Sequence, residues 1–187
     1  MTEPVRINIP EDLERLRSLP AGTAVLLSGP VFTARDATHA RIADALARDG
    51  ALPHGLTGAV LFYAGPTPPA AGRPVGAVGP TTAKRMDAWT PALLDAGIAA
   101  TIGKGARSAT VRRACADNGA VYLAAVGGAA ALLATTVVSA TPIAYEDLGT
   151  EALVRMELRD LPAWVAIDAE GRDLYAEARA EWSGERA

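Results

Sequence analysis

Short apolar runs rich in β-branched residues alternate along this chain with longer stretches at helical spacing, and this alternation restricts the possible folds more than any other feature. It argues for an α/β architecture, a mixed central sheet flanked by helices, and against all-helical or all-strand folds. Val5 to Ile9 is extended, Glu11 to Leu16 is a helical turn, and Thr23 to Ser28 reads as a strand closed by Gly29-Pro30. Thr33 to Arg48 then reads as a helix and Gly58 to Tyr63 as a second central strand. A Pro/Gly-rich surface loop, TPPAAGRP, leads to a short strand over Val75 to Val78. From Thr82 to Ala96 the apolar residues Met86, Trp89, Leu93 and Leu94 recur at helical spacing, with Gly97 as the terminating cap. The rest reads as strand Ile98 to Ile102, helix Ser108 to Asn118, strand Val121 to Ala125, buried helix Ala129 to Thr135, and strands Leu153 to Leu158 and Trp164 to Ile167.

The 187 residues, 50% apolar, suffice for one sizeable core but hardly for two. One domain over 1–187 is expected, with its core at about 20–175 and a charged tail over 176–187 that forms a fraying helix. A net charge of -3 supplies no basic field of the kind that displaces counterions from nucleic acid, so no nucleic-acid partner is expected. The opening MTEPVRINIPEDLERL carries acids and prolines where a signal peptide needs a basic head and an unbroken apolar stretch. A cytoplasmic protein follows. The run from Val121 to Val138 is interrupted by Gly127-Gly128 and reads as strand, turn and helix, not as a membrane span. Cys115 is the one cysteine, so neither an internal disulfide nor a cysteine-held cluster can form within the chain. With His39 and His54 the only histidines, we expect no metal ligands here.

Two segments share one design, a strand ending in Gly-Pro followed by Thr and Arg at the start of a helix: SGPVFTARDATHARI and VGPTTAKRMDAW. A helix N-terminus offers free amides and a positive dipole end, and a guanidinium meets a carboxylate through two parallel hydrogen bonds. Both read as anion seats. Thr81 and Arg85 are one helical turn apart, as are Arg35 and His39. The plainer alternative has the threonines capping helices while Arg35 and Arg85 pair with Asp36 and Asp87. A third candidate is IGKGARS, where glycines flank Lys104 in a tight bend; Lys84 and Lys104 are the only lysines among eighteen basic residues. Dinucleotide, P-loop and serine-hydrolase signatures all fail on inspection.

Taken in order, GPVFTARDATHARI, YAGP, GPTTAKRMD, IGKG, GGAAAL and DLPAWVAIDAEGRDLY resemble the β-type domain of iron–sulfur-dependent class I fumarases and L-tartrate dehydratases, covering most of the chain from about Val25 to Tyr175. Thr38 stands where that family usually has Ala. The resemblance implies a swivelling β/β/α domain and a hydro-lyase activity, with reversible hydration of fumarate to malate first and dehydration of tartrate or a related hydroxy-diacid second. It implies a four-iron four-sulfur cluster held by a separate α subunit, in an assembly of two α and two β subunits. It also assigns Arg35, Thr81, Arg85 and Lys104 to substrate contact, with His39 a further candidate and Thr81 and Lys104 as catalytic residues. The rival from another class is a non-catalytic anion-binding or assembly subunit.

Overall fold

In a computed structural model that describes residues 3–184, two long strands form the seam of the molecule. The chain enters through β1 (Val5–Asn8) and the short helix α1 (Leu13–Arg17), then forms β2 (Ala24–Thr33) and α2 (Asp36–Asp49). Next come β3 (Val60–Phe62), a single 3₁₀ turn (Ala83–Met86), α3 (Thr90–Asp95), β4 (Ala100–Gly103), α4 (Ala109–Asn118) and β5 (Val121–Ala124). The chain closes with α5 (Ala130–Leu133), β6 (Val137–Ala144), a 3₁₀ segment (Glu146–Glu151), β7 (Leu153–Ile167) and α6 (Leu174–Ser183).

β2 and β7 pair antiparallel, from Ala24 with Trp164 to Thr33 with Val154. Each has a second edge that it divides between two partners. β2 pairs in parallel with β1 at its start and with β3 at its end, while β7 takes β6 and then β5. Because β3, β4 and β5 are themselves parallel neighbours, the ring β2-β3-β4-β5-β7 closes on itself, with β1 and β6 attached outside it. Closure leaves no open edge among the five ring strands.

Side chains alternate across this wall, as a pleated strand requires. Val60 and Phe62 join a core with Ile7, Leu27, Ile102, Leu123 and Val165, drawn almost wholly from strands. Leu61 and Tyr63 point the other way, into a layer with Ile42, Met86, Leu93, Val111 and Cys115 from the flanking helices. Each fully buried large side chain of this kind contributes about 1.5–3 kcal/mol. The chain is one α/β domain with a mixed sheet and helices. Among the described residues, no helix is long and apolar enough to cross a membrane.

Several sequence expectations are corrected. Gly29-Pro30 does not end its strand: β2 runs through it over a bulge, because β7 supplies pairing along its full length. Gly29, at φ 102, is required there, since a Cβ would lie 2.1 Å from the Ile9 carbonyl oxygen. The helix expected over Thr82 to Ala96 is broken into a 3₁₀ turn and α3, although Met86, Leu93 and Leu94 are buried as the spacing implied. Val75 to Val78 is not a strand, and the helix expected to be buried at Ala129 to Thr135 is only α5 plus a 3₁₀ turn, with Leu132 66% exposed. β6 was not anticipated, and the two strands expected near the end are one, β7, which passes through Pro162. The expected helical tail is α6 through Ser183; residues 185–187 lie outside the described residues.

Candidate active site

The carboxyl ends of β2, β3, β4 and β5 face one side of the ring, the position where α/β sheets present loops to ligands. Hydrogen bonds tie these loops to one another. Ala34 N–H donates to the Phe62 carbonyl, and Thr81 N–H donates to the Tyr63 carbonyl at 2.6 Å. Lys104 N–H donates to the Thr81 carbonyl at 3.2 Å, and Ala83 N–H to the Lys104 carbonyl at 2.9 Å. Thr82 and Lys104 thus form a parallel bridge outside the named strands. Arg35, Thr81 with Arg85, and Lys104, from three separate stretches of sequence, therefore stand on adjoining loops.

Each cation is held differently. Arg35 occupies the residue before α2, with extended backbone, and its guanidinium packs against Gly65, where a Cβ would lie 3.0 Å from Arg35 Cδ. Its Nη2 lies 3.5 Å from Glu151, and its buried Nε has no partner among the described residues. Glu151 also accepts from Ala37 N–H at 2.8 Å, so a carboxylate of the protein already sits at the first turn of α2. Arg85, half exposed, reaches from the 3₁₀ turn to Asp36, with Nε to Oδ1 at 2.9 Å. That pairing joins the two Gly-Pro segments. The ammonium of Lys104 makes no ion pair or hydrogen bond among the described residues.

Two sequence readings change here. Thr81 precedes the 3₁₀ turn and is fixed by β3 and Lys104, so its relation to Arg85 is not one turn of an α-helix. The second segment consequently offers no helix N-terminus as an anion seat. His39 is completely buried on α2, and its Nδ1–H donates to the Arg35 carbonyl at 2.9 Å. Its ring meets Tyr63 edge-on at 5.0 Å, and its Nε2 has no partner among the described residues. Burial pushes its pKa down to about 4, so the ring is neutral at physiological pH and reaches the site only through Arg35.

Three features were not anticipated from sequence: Glu151, Gly127 and a buried pair beneath Lys104. Arg107, its side chain 0% exposed, donates to Asp87 at 2.6 Å and to Thr90 at 2.8 Å, and it lies over the rings of Tyr63 and Tyr122. Asp87 also accepts from Ser108 N–H at 2.7 Å, and Tyr122 donates to the Gly105 carbonyl at 2.8 Å. The Gly-Lys-Gly bend is thus pinned to the 3₁₀ turn that carries Arg85. Asp87 and Arg107 stand 20 residues apart, and neither local pattern nor period marks them as partners.

The donor set does not suit an iron–sulfur cluster. Cys115 is buried, burial raises its thiol to about 11, and no group of three or more His, Cys, Asp or Glu among the described residues could hold a metal ion.

Comparison with known proteins gives one consistent result. The chain is 35% identical over 185 residues to fumarate hydratase 2 of Leishmania major, covering 96% of this chain and 33% of that protein. It is 36% identical over 167 residues to the anaerobic class I fumarate hydratase of Escherichia coli, covering 88% of this chain and 30% of that one. It spans about a third of the length of these fumarate hydratases. Against a putative L(+)-tartrate dehydratase subunit beta of Methanocaldococcus jannaschii it is 34% identical over 168 residues, covering 87% of this chain and 86% of the subunit. The family described as Fumarase C-terminus matches residues 1–178, and with the loop architecture above this chain belongs to that family.

Proposed function

We propose that this chain is the β subunit of a hydro-lyase that reversibly hydrates fumarate to malate, gripping the diacid while a cluster-bearing α subunit faces it. The observation that carries this reading is the meeting of Arg35, Thr81, Arg85 and Lys104 on adjoining loops at the carboxyl ends of the parallel strands, in a member of the Fumarase C-terminus family. The closed mixed sheet with its flanking helix layer is the form we infer for a swivelling β/β/α domain over 1–187. Two such β chains with two α chains make the assembly we propose, working in the cytoplasm.

The four-iron four-sulfur cluster belongs to the α subunit in this reading, because the thiol chemistry of this chain does not fit it. What this chain supplies is binding and charge. Arg35 and Arg85 orient the carboxylates, and their pairs with Glu151 and Asp36 hold the guanidinium groups in place before a ligand arrives. Lys104 offers an uncommitted positive charge where negative charge develops as a proton leaves carbon. Thr81 Oγ takes part in moving that proton; a hydroxyl is a poor base alone, so an acidic residue of the α subunit must act with it. His39 contributes by holding the Arg35 carbonyl, not by touching the diacid.

A second reading, dehydration of tartrate, is favoured by the 86% coverage of a separately encoded β subunit. Reconstitution with the α subunit, followed by assay of fumarate, tartrate and mesaconate, separates the two. Oxygen-sensitive, iron-dependent turnover of fumarate is the expected result. Full activity from this chain alone without iron overturns the proposal, and binding of diacids by an assembly that turns none over supports a non-catalytic subunit instead.

A further inference from the structure

We propose that Gly127 is a positioning residue, its bare backbone after β5 aiming the Lys104 ammonium into the diacid site. The inference rests on the reading of Lys104 as a substrate-contacting group. A Cβ built on Gly127 would lie 3.1 Å from Lys104 Cδ, 3.8 Å from Cε and 3.4 Å from Nζ. The lysine arm therefore lies along the surface of this glycine for much of its length.

Conformation does not explain the glycine. Its neighbour Gly128 adopts φ 81, the left-handed region, with nothing within 4 Å of a built Cβ, so Gly128 makes the turn. Gly127 is not among the glycines of positive φ, so a left-handed backbone is not what calls for glycine there. The pair divides its work: one glycine supplies the turn and the other supplies room. The root of Lys104 is meanwhile immobilised by the Thr81 and Ala83 backbone bonds, and the following bend is held by Tyr122. With the root fixed and no anion among the described residues holding the tip, the wall at Gly127 is positioned to set the direction of the arm. Gly65 does not offer so clean a comparison, because a Cβ there would meet the Thr150 carbonyl oxygen at 2.8 Å as well as Arg35.

The test uses the two-lysine composition of the chain. Selective ¹³Cε-lysine labelling gives one signal for Lys84 and one for Lys104. Gly127→Ala is expected to shift the Lys104 signal, leave that of Lys84 in place and keep Tm within about 2 °C of wild type. In the proposed assembly with an α subunit it should lower kcat/KM for the diacid about tenfold. That loss should vanish when Gly127→Ala is added to Lys104→Ala, because the two changes act through the same arm. An unmoved Lys104 signal, or an undiminished loss in the Lys104→Ala background, overturns the proposal. If the signal shifts but the wild-type assembly turns over no diacid, the positioning of Lys104 stands and the hydro-lyase reading fails.

Discussion

The two Gly-Pro segments begin alike in sequence and end as different structures. In the first, β2 continues through Gly29-Pro30 and α2 starts at Asp36, so Arg35 is set at a helix entrance with its carbonyl held by His39. In the second, the chain leaves Gly79-Pro80 with a single bridge from Thr82 to Lys104, makes one 3₁₀ turn, and leaves Arg85 half exposed. What differs is tertiary support. The first segment pairs with β7 from Gly29 to Thr33, whereas the second is anchored from below by Asp87 and Arg107. One motif thus yields a rigid cation and a reachable one, joined through the Asp36 to Arg85 pair.

The strongest way to break this comparison is to remove the second anchor. Arg107→Leu leaves Asp87, whose side chain is 12% exposed, as an unpaired carboxylate. The expected cost is about 3–5 kcal/mol in chemical denaturation, the range for a buried pair broken on one side. A cost below about 1 kcal/mol would show that the pair does not anchor the 3₁₀ turn.

Acid should loosen the first segment next. The pKa of His39 is 6.5 when the ring is free and about 4 in the fold, so between those values the unfolded chain binds more protons and stability rises with pH. The contribution is complete above pH 6.5 and is lost as pH falls through 4, amounting to roughly 3 kcal/mol by linkage. Urea titrations across this window should show that slope, and His39→Gln should flatten it; an unchanged slope in the variant would assign it to other groups.

The link between the segments is expected to matter least for stability. Asp36→Asn removes a partly exposed ion pair and a negative charge in the first turn of α2, at a cost of about 1 kcal/mol or less. A Tm within a few degrees of wild type would sharpen the distinction between anchors and link, and collapse of the fold would erase it.

The sequence made the α/β class and the core faces legible because they depend on period, and Met86, Leu93 and Leu94 pack as their spacing requires. The limits of the elements were less legible. Gly29-Pro30 carries every local mark of a strand end, yet pairing with β7 overrides it. The single helix expected from Thr82 is interrupted for a similar reason: the apolar period continues across Trp89 while the backbone pauses there, as Thr90 Oγ1 donates to the Met86 carbonyl. In the candidate site, the cations stood out in sequence, Arg35 and Arg85 downstream of Gly-Pro and threonine and Lys104 between two glycines. Glu151 and Arg107 did not, since their partners lie 114 residues away at Ala37 and 20 residues away at Asp87, and only the fold brings those together.

The claim on which everything depends is that the reachable cation grips the diacid. It is tested most directly by the kcat/KM of Arg85→Ala for fumarate in the proposed assembly with a cluster-bearing α subunit, with Tm measured on the same sample. A fall of about 100-fold or more at a nearly unchanged Tm is the expected result, as loss of a charge-assisted contact requires. Near wild-type kcat/KM at the same Tm would contradict it.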